Sequence, residues 1–377
     1  MRGRVREGAT CRSTLHSEEN YRKGAKSAKQ GMKRIISAET RSTQRTNIGL
    51  QFCILLTSAC SASPRAILLR LNSFRPWNES LSAVALFDCV STLPRIATTA
   101  TRREFMTTQF DLNAYLARIG YDGPRTATLE TLRAVHRLHP AAIAFENLNP
   151  LLGLPVLLDA ESLQNKMIHS GRGGYCFEHN GLLRGALEAL GFKVTGLAAR
   201  VIWGRAEDAI TQRTHMTLLV EVDAAQYLVD VGFGGQTLTG PIPFRVGQEH
   251  STPHEPFRLI ERNGEYLLHS KVKDEWRALY RFDLQPQFTE DYQLANWYVS
   301  TFPESPFVRT LRIARSVPGR RYGLLNNELS IHTLGEESVS RKLSSLGDLK
   351  EALVEIFGIK LPEHPGLDGR LAGFIVS

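Results

Sequence analysis

Cysteine is scarce in this chain: five occur in 377 residues, and four of them, Cys11, Cys53, Cys60 and Cys89, precede Met106. There is no Cys-x-x-Cys pair, and His169, His179 and His215 do not stand at zinc-ligand spacing with thiols, so no metal is expected. Long hydrophobic runs are missing too. The apolar stretch from Ile48 to Cys60 is too short to span a bilayer, and the 47 residues before it exclude a signal h-region. The glycine sets Gly171/Gly173/Gly174 and Gly232/Gly234/Gly235 lack the spacing of a phosphate-cradling loop and read as tight turns.

Acidic residues are few in the first part. Residues 1–105 carry 18 Lys and Arg against 7 Asp and Glu, a net +11, so the overall +8 leaves residues 106–377 at −3. The sequence pI of 9.3 is therefore a property of the prefix and gives no ground for nucleic-acid binding. The prefix also lacks periodicity, and its Arg-rich, acid-poor start resembles a transit peptide. It is expected to be a disordered extension, or a reading frame upstream of translation starting at Met106. The remainder is expected to be cytoplasmic, with no membrane partner.

What is present is one downstream thiol in an informative setting, Gly171-Arg172-Gly173-Gly174-Tyr175-Cys176-Phe177-Glu178-His179-Asn180. After Cys176 the pattern turns helical, with Leu183, Leu187 and Leu190 on one face and Gly191 as a stop. Cys176 is thus predicted at a helix N-terminus, where unsatisfied N–H groups favour a thiolate and offer an oxyanion site. Alone, it would more often read as a small buried hydrophobe.

Two further residues supply the context. His215 lies in a strand-like run where Met216, Leu218, Val220 and Val222 alternate, which turns the imidazole to the other face. Asp230 falls among Val229, Val231 and Phe233, where a buried carboxylate needs a partner. Imidazole activation of a thiol, with a carboxylate fixing the ring, uses these three groups. The separations of 39 and 15 residues are far shorter than in papain, so a papain-type protease is disfavoured. With residues 223–226 as a loop, Val222 would pair with Tyr227 and leave Asp230 four residues from His215, roughly 13 Å at strand rise. A bulge, a twist or another pairing must close that gap.

The periodicity predicts an α+β fold in three parts. Asp111 is expected to cap a helix bearing Leu112, Tyr115, Leu116 and Ile119, Leu129, Leu132 and Val135 mark a second, and Asp159 a third through Leu163 and Met167. Residues 106–191 then form a helical bundle carrying the nucleophile. Strand-like runs at 194–203, 215–222, 227–231, 257–260 and 266–269, the last two flanking Asn263-Gly264, predict a β-barrel or curved antiparallel sheet over 192–295. A helix through Leu349, Leu353, Ile356 and Phe357, stopped by Gly358, places an α/β lid at 296–377.

Arg172 to Asn180, Phe145-Glu146-Asn147-Leu148, Thr214-His215-Met216 and Asp230-Val231-Gly232-Phe233-Gly234-Gly235 together resemble the arylamine N-acetyltransferases. The phrases Asn296-Trp297-Tyr298 and Ser305-Pro306-Phe307 look like the bacterial branch. The resemblance implies a cysteine-protease-like triad of Cys176, His215 and Asp230, with acetyl passing from acetyl-CoA to the thiol and then to an arylamine, arylhydrazine or N-hydroxyarylamine. It implies a supporting pair of Glu146 and Arg172, and places Phe233 and Gly234 in the acceptor or CoA cleft. No permanently bound cofactor is implied; acetyl-CoA is a co-substrate. Trp203 and Phe302 are candidates for holding the aromatic ring, or for a core or lid role. An amide synthase of the same family, a thiol hydrolase, a transglutaminase-like enzyme and a silent binding protein remain as alternatives.

Overall fold

A computed structural model describes residues 110–375, so the expectations for residues 1–105 lie outside the described residues. The first part is built on side-chain caps. Asp111 accepts the Ala114 N–H at the start of α1 (Leu112–Ile119), and Thr128 caps α2 (Leu129–Ala142). After the short α3 (Leu148–Leu151), Asp159 caps α4 (Ala160–Gln164), which runs on as a π-turn over Asn165–His169. The helix α5 (Cys176–Ala189) follows. The apolar positions at helical spacing, among them Tyr115, Leu132, Leu183 and Leu187, are fully buried. They share one core with Met216, Leu218, Val220 and Val222.

The curved sheet is antiparallel. Its strands are β1 (Lys193–Val201), β2 (Arg213–Val222), β3 (Ala225–Val229), β4 (Ile242–Pro243), β5 (Glu249–His250), β6 (Phe257–Arg262), β7 (Glu265–Val272) and β8 (Glu275–Phe282), in the order β4-β3-β2-β1-β8-β7-β6-β5. Residues 244–247 bring the edges together, because the Phe244 N–H donates to Gln226 O and the Gly247 N–H to Leu259 O, both at 2.8 Å. The result is nearly a barrel. Leu197, Leu219, Leu228, Phe257, Leu268 and Phe282 fill its interior, each contributing about 1.5–3 kcal/mol by leaving water. β2 is therefore buried on both faces, its even positions against the helices and Leu219 against the barrel core.

The hairpin register differs from the expectation. Asp223 and Ala224, at φ 49° and 60°, form a two-residue turn, so Val222 pairs with Ala225 and Leu218 with Val229. Continuing that ladder sets Asp230 beside Thr217, two residues from His215 instead of four. The neighbouring pair bulges as well: Ala199 pairs with His215 but Arg200 with Arg213, leaving Thr214 as the extra residue. Asn263 and Gly264, at φ 54° and 77°, make the expected turn between β6 and β7.

The third part contains α6 (Thr289–Thr301), α7 (Pro306–Arg309), a meander of β9 (Arg312–Val317), β10 (Arg320–Leu325), β11 (Glu328–Thr333) and β12 (Val339–Lys342), then α8 (Leu346–Glu351) and α9 (Leu367–Ala372). β8 ends at Phe282 and α6 begins at Thr289, so residue 295 lies inside α6. The strap Ala144–Leu151 belongs to this part's core: Ala144, Leu148 and Leu151 pack with Leu311, Ile313 and Leu353. No helix among the described residues is long and apolar enough to cross a membrane.

The β2–β3 turn is testable. Left-handed backbone costs an alanine about 1 kcal/mol or more, and Ala224 is exposed. Ala224→Gly is expected to raise stability by about 0.5 kcal/mol in urea unfolding, and Ala224→Val to lower it. A glycine variant less stable than the parent would contradict the two-residue turn.

Candidate active site

Backbone crowding shapes the approach to Cys176. A Cβ on Gly173 would sit 1.9 Å from the Ala144 carbonyl oxygen, so only glycine lets this loop pass under the strap. Tyr175 is extended as the N-cap of α5, and its N–H donates to Glu178 Oε2 at 3.0 Å. The Tyr175 hydroxyl donates to Asn296 Oδ1 on α6. Cys176 is thus the first residue of α5, as the sequence predicts, buried, with its sulfur 3.5 Å from the Thr214 carbonyl oxygen in the bulge.

His215 and Asp230 meet on the barrel side of β2. His215 Nε2 lies 2.7 Å from Asp230 Oδ2, and both residues are buried. The imidazole also packs on Tyr280, with centroids 4.8 Å apart, and edge-on against Phe233 at 5.3 Å. Burial alone would lower the imidazole, but the charge and hydrogen bond of Asp230 and the interaction with Cys176 raise it to about 10. Burial likewise favours a neutral Asp230, yet His215, Asn180 and the Gly232 N–H hold it below the usual carboxylate range. The two directions agree, since each group favours the charged form of the other.

Cys176, His215, Phe233, Gly234, Trp203 and Phe302 all line one cavity of about 890 Å³, with Asp230 behind His215. Phe145, Tyr298 and Phe307 add to its wall. Glu146 and Arg172 stand apart from the cavity, behind the nucleophile loop. Arg172 Nε and Nη2 both donate to Glu146 Oε1, at 3.0 and 2.6 Å. Oε2 accepts the Leu148 N–H at 2.6 Å instead, and Lys166 stands 3.9 Å from Oε1.

Several partners of the site escape sequence reasoning. Asn180 donates to Asp230 Oδ1 at 2.9 Å; its place four residues after Cys176, on the same helix face, is the signal that could have found it. Tyr280 lies in β8, a strand absent from the expected set. Gly232 presses so closely on Cys176 that a Cβ would meet its Cα at 2.8 Å. A chain of neutral histidines underlies the loop: the Tyr115 hydroxyl faces His139 Nδ1 at 2.9 Å, His139 Nε2 faces His179 Nδ1 at 2.9 Å, and His179 Nε2 faces Ala144 O at 3.1 Å. A carbonyl only accepts, so each proton's place follows: Tyr115 donates to His139, His139 to His179, and His179 to Ala144.

The thiol at the start of α5 thus shares one cavity with a His–Asp couple held on a curved sheet. A family model described as N-acetyltransferase matches residues 128–365. The arylamine N-acetyltransferase of Mycolicibacterium smegmatis is 45% identical over 262 residues, 68% of this chain and 95% of that one. The arylamine N-acetyltransferase / N-hydroxyarylamine O-acetyltransferase of Salmonella typhimurium is 35% identical over 269 residues, 71% and 95% of the two chains. The solved structure of Mycobacterium marinum arylamine N-acetyltransferase in complex with CoA superposes with a TM-score of 0.66 at 40% identity, covering 70% of this chain and 98% of that one. The chain belongs to the arylamine N-acetyltransferase family, and it is an acetyltransferase.

These groups set opposite limits on pH stability. Burial lowers His136 and His179 to about 4 and also depresses His139, so below pH 6.5 the unfolded chain takes up protons that the folded chain does not. His215, raised to about 10, binds its proton more tightly when folded, and that stabilisation is lost between pH 6.5 and about 10. Thermal unfolding midpoints are expected to peak near neutrality and fall on both sides, the acid limb reflecting a loss of roughly a few kcal/mol of stability. A midpoint level from pH 7 to 5 would contradict the neutral histidine chain.

Proposed function

We propose that the chain is an acetyl-CoA:arylamine N-acetyltransferase that works by a ping-pong sequence, with Cys176 as nucleophile, His215 as acid–base and Asp230 as orienter. The observation that carries this reading is Cys176 at the first residue of α5, in one cavity with an imidazole already paired to a buried carboxylate. Because Asp230 takes Nε2, the other ring nitrogen, Nδ1, is left to serve the thiol.

In the first half, the Cys176 thiolate adds to the acetyl-CoA carbonyl and the bond to the CoA sulfur breaks. The departing sulfur takes its proton from the His215 imidazolium. In the second half, the amine of the acceptor adds to the acetyl-cysteine carbonyl, its proton passes to His215, and the amide leaves as the thiolate is restored. First-turn N–H groups of α5 would carry the oxyanion of both intermediates. Phe233 and Gly234 line the approach to the sulfur and are assigned to the pantetheine arm; Trp203 and Phe302, half-exposed at the cavity, are assigned to the aromatic acceptor. The third part serves as a lid through Phe302 and Phe307, and excludes water as a competing acceptor. Acceptors are small arylamines, arylhydrazines or N-hydroxyarylamines, the last in keeping with the name of the Salmonella relative.

Cys176→Ala is expected to abolish transfer with the fold retained, since the thiol is the covalent carrier. His215→Ala and Asp230→Asn are each expected to slow single-turnover acylation by about 10³-fold or more. Transfer by purified Cys176→Ala would overturn the mechanism, and acylation of Asp230→Asn within a few-fold of the parent would reduce Asp230 to a bystander.

A further inference from the structure

The Asn180 side chain is fully buried and every polar atom it has is engaged. Its Nδ2 donates to the Met216 carbonyl at 2.7 Å and to Asp230 Oδ1 at 2.9 Å, while its Oδ1 accepts the Val231 N–H at 3.1 Å. These partners fix the amide without ambiguity: a carbonyl and a carboxylate only accept, and a backbone N–H only donates. The residue therefore joins the nucleophile's helix to the residue after His215 and to the segment carrying Asp230. We propose that Asn180 is a positioning residue of the triad, holding Asp230 so that Oδ2 alone is offered to His215.

The argument lies in the two carboxylate oxygens. Oδ1 already accepts from Asn180 and from the Gly232 N–H at 2.8 Å, so rotation of the carboxylate would break both bonds. Oδ2 has His215 Nε2 at 2.7 Å. The other groups around Asp230 do not duplicate the amide. His136 Nε2 accepts the Asp230 backbone N–H at 3.3 Å, and the Tyr280 hydroxyl, 3.3 Å from Thr217 Oγ1, also interacts with the carboxylate, but neither ties it to α5. Without the amide, Oδ1 keeps only Gly232, and the Met216 carbonyl and Val231 N–H lose their partner inside the protein. The imidazole would then lose its fixed orientation toward Cys176.

This inference rests on the triad reading above, and the test separates the two. Acylation of Cys176 by acetyl-CoA is followed in single turnovers from pH 5.5 to 8.5, with KM for acetyl-CoA and thermal midpoints, in full-length Asn180→Ala, Asn180→Asp, Leu183→Ala and Asp230→Asn. Asn180→Ala is expected to acylate about 30-fold slower with KM within about twofold, the pattern of a lost transition-state interaction. Asn180→Asp nearly preserves shape and puts two carboxyls within hydrogen-bond distance, which share a proton. Its O–H can then replace one amide donor, so its rate relative to the parent should rise as pH falls, while the Asn180→Ala ratio stays flat. Leu183→Ala opens a cavity in the same helix without touching these hydrogen bonds, and is expected to lose stability but keep its acylation rate. The proposal is overturned if Asn180→Ala acylates within about twofold of the parent, or if the Asn180→Asp ratio is independent of pH. Normal acylation by Asp230→Asn would instead sink the triad reading itself.

Discussion

The constraint on which the site depends is a carboxylate that must stay charged without water. Asp230 has no exposed surface and stands between Val229 and Val231, both in the apolar core. An ion so placed costs several kcal/mol unless its lone pairs are filled. Here they are filled by His215, Asn180 and the Gly232 N–H, and each donor imposes a condition on the fold. The two-residue turn at Asp223-Ala224 sets the ladder that brings Asp230 near His215. β3 stops at Val229 so that the chain can fold back and donate from Gly232. α5 lies where Asn180 can reach both strands, which sets its first residue, Cys176, against Thr214 and Gly232.

The nucleophile loop is held from the other side by the strap Ala144–Leu151, which ties the first part to the third. Phe145 exchanges backbone hydrogen bonds with Ala314, the Glu146 N–H donates to Gly174 O, and Asn147 bonds to Phe307 O, Thr310 O and the Arg312 N–H. The Glu146–Arg172 pair and the neutral chain from Tyr115 to Ala144 fix the same strap from two directions. The loop before Cys176 therefore has little freedom, and a preorganised oxyanion site needs that rigidity.

Much of this was legible in the sequence, for reasons that vary by element. Helices with a clean apolar face and an Asp or Thr cap stand where periodicity puts them, because cap and stripe are local signals. Asn263-Gly264 is equally local. The β2–β3 turn was not legible: Asp223-Ala224 lacks the glycine that marks a left-handed pair, and the longer loop set Asp230 too far away. β8 and the β9–β12 meander were missed because charged residues interrupt their alternation, Arg321 being fully buried among Glu255, Ser316 and the Gly235 carbonyl. Such burial is invisible until partners distant in sequence are known. Cys176, His215 and Asp230 could be named from residue type and order, whereas Asn180 needed its three-way hydrogen bonding to be seen.

The central claim is that acetyl rests on the enzyme between two substrates. Intact-mass analysis after acetyl-CoA alone tests it most directly, followed by addition of an arylamine. The account predicts a single adduct of about 42 Da, mapped to the peptide bearing Cys176, that disappears as the amine is acetylated. Amine acetylation with no such adduct, or an adduct that the amine does not discharge, would contradict it.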